Sequence, residues 1–502
     1  MRPHFSLKRP SRPPCFISTI HSSHSTVFSE NIMATAFHVP TGHVGNLTSE
    51  QEEKLRDFWR TVYKLNDVFD KHGPPNGTSP AQLQRTATAS SQQSQQSRWG
   101  LFRRSTAEPA SPQPKAELNA TAQELERLGL PRELHDVLSH HTPDTIRSMV
   151  IGSVKHEHPD SLALRFLRAR KWDLDKALVM MFTAMDWRYR EAKVDQDVIP
   201  NGDGGAVEAA EKGDTLARDF MKQCRMGKSF AHGTDREGRP ICYVRVRLHR
   251  ASDQCPESID RYCTYLIETA RLALNPPCET ANLMFDMTGF TLANMDYVPV
   301  KFIIKCFEAN YPESLGVILI HNAPWVFKGI WKIISGWMDP VIRGKVNFTY
   351  GRVDLEKFIA PEQLIKELDG DEDWEYKYIE PVPGENDLMK DTETRDRILK
   401  ERKDLASQFE VATQKWIKAE GNEADELRDE RNRLAAELRN NYWKLDPYVR
   451  ARSVLDRWGV LQGGKPVVWY PDVREETAVE EVDTKEKTAV NATVAVPSAA
   501  AA

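Results

Sequence analysis

Residues 323–345 read APWVFKGIWKIISGWMDPVIRGK. From Trp325 to Met338, nine of fourteen residues are strongly apolar, and three of those nine are tryptophan. Wound as a helix, Val326, Phe327, Ile330, Trp331, Ile333, Ile334, Trp337 and Met338 share an arc of about 160°. Lys328, Lys332, Ser335 and two glycines hold most of the other side. Trp325 falls beside the lysines, as indole rings do at membrane interfaces. Such a helix rises only ~21 Å, short of the ~30 Å hydrocarbon core of a bilayer. Two readings remain: a core helix, or a lid that lines an apolar cavity when closed and meets lipid when open. Asp339-Pro340 ends the helix, and Arg343 and Lys345 put cations beside its end. An apolar wall with cations at its mouth suits a ligand with acyl chains and an anionic head group, which favours the lid.

The flanking sequence says what the lid would cover. Lys228 to His249 reads as a hairpin turning at Asp235–Gly238. Helix is expected from Pro256 to Leu274 and from Asp296 to Tyr311. Short buried strands are expected at Leu283–Asp286, Leu315–His321 and Lys345–Tyr350. Alternating strands and helices predict an α/β fold with a mostly parallel sheet, covered on both faces.

Composition narrows the function classes. The chain has 502 residues and a net charge of −5, which argues against a general nucleic-acid binder. Seven cysteines include no CxxC pair, so neither a zinc site nor a disulfide scaffold is indicated, and reduced thiols of a cytoplasmic protein are expected. No run of eighteen apolar residues predicts a span. GxSxG, HExxH, a phosphate loop and a kinase glycine loop are all missing. The expectation is therefore a non-enzyme without metal or cofactor, with His232 and His321 structural.

Residues 1–48 are rich in Arg, Ser, His and Pro, like a mitochondrial transit peptide. Pro3, Pro10, Pro13 and Pro14 would break the helix such a peptide needs, so disorder is preferred, and Met33 is a second possible start. Residues 49–71 read as an amphipathic helix with Ser49 and Glu52 as capping box, either docked on the main domain or facing a partner. Residues 72–118 are a low-complexity linker carrying Arg103-Arg104-Ser105, a weak phosphorylation signal. Residues 120–192 form a helical domain: Thr121 and Glu124 suggest a cap, Thr142-Pro143 opens a helix, and Asp173 caps another after a break at Trp172. The glycine cluster Gly202–Gly205 reads as a surface loop. Residues 205–375 carry the α/β domain. Residues 390–461 are a charged helical extension, aromatic from Asn440 to Leu461, and residues 471–502 a disordered tail.

Six motifs in one order now carry a resemblance: RFLRARKWD (165–173), DREGRP (235–240), FDMTGF (285–290), YPESLG (311–316), NAPWVF (322–327) and DPVIRGK (339–345). Over roughly 120–375 the chain resembles the CRAL-TRIO lipid-binding family, in particular fungal phosphatidylinositol transfer proteins of the yeast secretory type. The resemblance implies a small helical domain followed by a sheet that floors a lipid pocket gated by a helix. It implies exchange of phosphatidylinositol between membranes and its presentation to lipid kinases. It further implies a monomer in the cytoplasm that touches endoplasmic reticulum, endosome or lipid-droplet membranes transiently. Carried over residue by residue, the head-group set is Arg170, Lys171, Glu313 and Lys345. The cations would face the phosphate, and Glu313 would accept from inositol hydroxyls or orient Lys345; a structural Glu–Lys pair is the plainer alternative. Trp325, Phe327, Ile330, Trp331, Ile334, Trp337 and Met338 would form the gate and line the pocket. Two positions depart from the family. Ile342 stands where Thr commonly follows DPV. Ala281 and Leu283 stand where phosphatidylcholine binders carry Ser and Thr, so poor phosphatidylcholine binding is expected. The alternative function is an adaptor that senses a sterol, squalene or haem and binds proteins through its terminal helices.

Overall fold

The leucine, isoleucine and valine run at 315–321 has no polar face, as a strand buried on both sides requires. In the computed structural model, which describes residues 39–73 and 120–469, it is the fourth of five strands. The expectations for residues 1–38, most of the linker, Arg103-Arg104-Ser105 and the 471–502 tail lie outside the described residues.

The strands are β1 (Ser229–Thr234), β2 (Pro240–Arg245), β3 (Ala281–Asp286), β4 (Leu315–His321) and β5 (Val346–Thr349), adjacent in that order. β1 and β2 form the antiparallel hairpin. Its turn is fixed by the Asp235 carboxylate, which accepts from the backbone nitrogens of Glu237 and Arg239 at 3.0 and 2.9 Å. The remaining pairs are parallel, joined through helices. Ile241, Tyr243, Met284 and Leu319 on one face pack against Leu355, Ile359 and Leu364. Val244, Leu283, Phe285 and Ile318 look the other way, beneath helices Pro256–Leu272, Tyr297–Lys305 and Phe327–Ile334.

Five helices between Ala120 and Asp186 build the helical unit. Asp173 caps the last, accepting from the Lys176 nitrogen. Helix Ser49–His72 sets Leu55, Phe58, Trp59, Val62, Leu65 and Phe69 into the same core, so it is a docked helix. Two expected caps are corrected. Thr48 and Gln51, one residue earlier than expected, form the capping box. Thr121 lies inside its helix, where its hydroxyl donates to the Gly73 carbonyl at 2.8 Å; a tertiary acceptor took the group that sequence assigned to a cap.

The glycine cluster is not a loop. It sits in helix Ile199–Glu211, kinked at Gly202, whose φ is +51°. A Cβ there would come within 2.9 Å of the Ala451 methyl. Close approach of the C-terminal segment, absent from any local pattern, explains the glycine.

That segment follows two long helices, Thr392–Trp416 and Gly421–Val449, packed on each other and on helix Ser49–His72. Arg431 is fully buried between them, over the Phe409 and Trp416 rings, and donates to Asp160 at 2.5 Å. The Trp59 indole donates to the same carboxylate oxygen at 2.7 Å. Tyr442, Leu455, Val460 and Leu461 then pack on Ala231 and Leu272, giving the aromatic stretch its partner.

Candidate functional site

Between the sheet and its helical cover lies a cavity that admits the centre of a water-sized sphere throughout ≈ 250 Å³, roughly twenty times what one water molecule needs. Val244, Leu283, Phe285 and Ile318 floor it, and Ile259, Leu266, Val300 and Ile303 roof it. One wall comes from the stretch 323–345. Its helix is shorter than expected: two turns, Phe327–Ile334, then a loop to Asp339, which caps the short helix Pro340–Gly344 through the Val341 nitrogen. The Asp339 nitrogen in turn donates to Glu308 at 2.6 Å, tying this wall to the turn after helix Tyr297–Lys305.

Phe327, Trp331, Ile334 and Met338 line the cavity. Three other members of the expected set do not. Ile330 is buried against residues such as Met287 and Phe290. Trp337 stands edge-on to Tyr297 at 5.3 Å, with the Lys301 ammonium 4.7 Å from its ring centre. Trp325 precedes the helix and is 84 % exposed. Ile333, at the edge of the expected apolar arc, is half exposed.

Two of the expected head-group residues are direct neighbours. Glu313, at φ +56°, and Lys345 approach to 3.9 Å, both partly exposed. They flank the lining in sequence, next to Ser314 and Val346. The Lys345 ammonium donates to the Leu315 carbonyl at 2.7 Å. Arg170 terminates helix Pro159–Ala169, where it donates to Ala169, and Lys171 is exposed at φ +51°. Among the described residues neither has an ion-pair partner, and neither lines the cavity. Arg168 of the same motif instead pairs with Glu279 at 3.0 Å. Ile342, Ala281 and Leu283 all lie on the cavity wall, so each departure from the family pattern faces the same space. His321 contacts the Thr349 hydroxyl and His232 the Glu372 carboxylate, both within the fold.

Sequence reading missed the polar end of this cavity. Lys228 donates to Gln254 at 2.7 Å and stands 3.4 Å from His249 Nδ1, whose Nε2 lies 3.3 Å from Asp296. Lys228, His249 and Asp296 all reach the lining. Burial pushes the Lys228 pKa down to about 8. No spacing rule links residues 228, 249 and 296; only the hairpin and the cap of helix Tyr297–Lys305 bring them together. Among the described residues no helix is long and apolar enough to cross a membrane, and no group of three His, Cys, Asp or Glu residues could hold a metal ion.

Comparison with known proteins agrees with this architecture. Residues 224–370 match the CRAL/TRIO domain, and residues 131–181 match the CRAL/TRIO N-terminal domain. A CRAL-TRIO domain-containing protein of Schizosaccharomyces pombe is 39 % identical over 421 residues, 84 % of this chain and 92 % of its own length. The chain belongs to the CRAL/TRIO family. Another relative, the phosphatidylinositol transfer protein CSR1 of Eremothecium gossypii, is 36 % identical over 439 residues, 84 % of this chain and 98 % of its own. Both relatives match well beyond the two domains, so the match takes in segments outside them. A crystal structure of Sfh5 aligns with 45 % of this chain and 83 % of its own at 14 % identity and a TM-score of 0.31.

Proposed function

We propose that this chain is a phospholipid carrier. It binds phosphatidylinositol with the acyl chains in the cavity and exchanges it between membranes or presents it to lipid kinases. The observation that carries the reading is the apolar cavity walled by Phe327, Trp331, Ile334 and Met338, supported by a relative matched over nearly its whole length that is named a phosphatidylinositol transfer protein. Each acyl methylene exposed to water costs about 0.8 kcal/mol, so a lipid of roughly thirty methylenes faces an upper limit above 20 kcal/mol in crossing unaided. A closed apolar space offsets most of that. The two-turn lid helix swings out against the bilayer with Trp325 leading, then closes over the lipid. Lys345, with Arg170 and Lys171, takes the phosphate side, and Glu313 the inositol hydroxyls. The protein works as a monomer in the cytoplasm, visiting endomembranes transiently, and performs no covalent step.

Native mass spectrometry of the purified chain identifies the ligand, and a vesicle assay with labelled phosphatidylinositol and phosphatidylcholine measures exchange. Bound phosphatidylinositol with selective exchange is expected, since Ala281 and Leu283 offer no hydroxyl to a choline head. Equal transfer of the two lipids would refute the selectivity. A sterol, squalene or haem as the sole ligand would replace the carrier with an adaptor.

A further inference from the structure

The main cavity has polar groups at two opposite corners of the sheet. Lys228 precedes β1 by one residue, and Lys345 precedes β5 by one. β1 and β5 are the outer strands of five, so four strand spacings of about 4.8 Å, roughly 19 Å, separate them. They differ in level as well. β1 alone among the five runs antiparallel, so the Lys228 carbonyl accepts from Arg245 at the end of β2, whereas the Lys345 carbonyl accepts from Ile318, midway along β4. Arg245 is in register with Asp286, and Asp286 with His321, three residues beyond Ile318. Ser314 and Ile342 line the cavity at the Lys345 corner; Lys228, His249 and Asp296 line it at the other.

Lys228 is only 6 % exposed. Its ammonium carries three hydrogens. One goes to Gln254 at 2.7 Å, and one faces His249 Nδ1 at 3.4 Å. A lysine ammonium cannot accept, so His249 Nδ1 accepts, and the ring's own hydrogen sits on Nε2, 3.3 Å from the Asp296 carboxylate. The third ammonium hydrogen has no acceptor among the described residues. Gln254 stands outside the cavity lining and His249 within it, which sets the ammonium at the wall between them.

The surrounding charges leave this cation unmatched. Among the described residues no carboxylate comes within ion-pair range of Lys228; Asp253 and Asp296 act on it from farther off. Asp253 is drawn to Lys222 at 3.6 Å. Asp296 accepts from the Val298 nitrogen at 2.9 Å and faces His249. Burial pushes the Lys228 pKa down to about 8, which still leaves the group charged at pH 7. A buried cation held by neutral groups alone is destabilising, and a ligand that brings its own negative charge relieves it. The rest of this corner is largely hydrocarbon, with Val246, Ile259 and Met295 in its wall.

We infer that the Lys228 corner is a second binding site of the cavity and takes the carboxylate of a long-chain acid. The ammonium donates its third hydrogen to the carboxylate, and the tail runs over Val244 and Leu283 toward Lys345. Two classes of cargo then place their anions at different corners, a phospholipid at Lys345 and a long-chain acid at Lys228. The inference rests on the carrier reading only in requiring that hydrocarbon enter the cavity.

Delipidated full-length chain is titrated at pH 7 with cis-parinaric acid, whose fluorescence rises in apolar surroundings, and with its methyl ester and the corresponding alcohol. The acid is expected to bind roughly tenfold or more tightly than the ester or the alcohol. Lys228→Met is expected to erase that preference and Lys228→Arg to keep most of it, with cooperative urea unfolding as the check on both variants. Binding of the ester or the alcohol as tightly as the acid by the parent, a measurement that needs no variant, overturns the site. A preference that survives Lys228→Met overturns it too. Either result leaves the carrier reading standing. Binding of none of the three probes also overturns the site; if phosphatidylinositol fails to load as well, the carrier reading falls with it.

Discussion

Lys345 and Glu313 stand 3.9 Å apart, and the Lys345 ammonium is anchored on the Leu315 carbonyl rather than on the carboxylate. A direct hydrogen-bonded pair would have satisfied both charges. This one leaves the Glu313 oxygens and two ammonium hydrogens open to a ligand, beside a cavity lined with hydrocarbon.

Lys345→Met is therefore expected to lower phosphatidylinositol exchange by about tenfold or more, and Glu313→Gln by less. The pair is about a quarter exposed, so stability should move by no more than about 1 kcal/mol in either variant. Vesicle exchange and urea denaturation check this. Parental exchange rates in both variants would place the head group elsewhere.

The lid makes a different prediction. Trp325→Ser removes an almost fully exposed ring, so stability should stay within about 0.5 kcal/mol while vesicle binding weakens. The double change Phe327→Asp with Trp331→Asp is expected to abolish exchange while unfolding stays cooperative. Sedimentation with vesicles and the exchange assay measure the two effects. Exchange at the parental rate in the double variant removes the lid from the mechanism.

Arg431 should matter as much as any core leucine. Arg431→Met strips the buried Asp160 carboxylate of its cation and is expected to cost about 3–5 kcal/mol. Adding Asp160→Asn should recover part of that loss, because the two residues act as a unit. Urea midpoints for the parent, both single variants and the double variant give the coupling. Additive losses would show that the pair contributes no shared term.

Acid should weaken the fold from about pH 6.5 downward. His156 is buried beside Tyr442 and Trp443, and desolvation lowers its pKa to about 4 from the usual 6.5. Between those values the unfolded chain binds a proton that the folded chain refuses. Stability from this group is whole above pH 6.5, falls as the pH drops, and is lost by about pH 4, a change of roughly 3 kcal/mol. Glu157, held down at about 2 by its arginines, adds a loss of the same sign below about pH 4.5. His156→Phe is expected to reduce the fall of the urea midpoint between pH 7 and pH 5, the other buried histidines with lowered pKa, such as His158, keeping their share. An unchanged slope would mean that His156 is not the titrating group.

The sheet and the apolar helix at the cavity wall were legible because burial leaves periodic marks. Leu315–His321 has no polar face, and the 235–238 turn announces itself. Asp173 and Thr142 sit where local hydrogen bonds decide the outcome, and they cap as expected. What failed was decided from far away in the chain. Gly202 answers to Ala451, and the Thr121 hydroxyl to Gly73. Helical spacing set Trp325 beside the lysines, where it is exposed, but could not say that Trp337 would turn to Tyr297 and not to the cavity. The polar end at Lys228, His249 and Asp296 has no linear signature at all.

The Asp160–Arg431 contact bears on how the chain is made. Synthesis runs from the amino terminus, and early segments ordinarily settle while later ones are still on the ribosome. Here 271 positions separate a carboxylate from the guanidinium that neutralises it. The core around Asp160 is therefore complete only once the helix Gly421–Val449 has emerged. Chains halted before residue 431 would leave the Asp160 carboxylate facing water instead of a guanidinium, with that side of the helical unit uncovered.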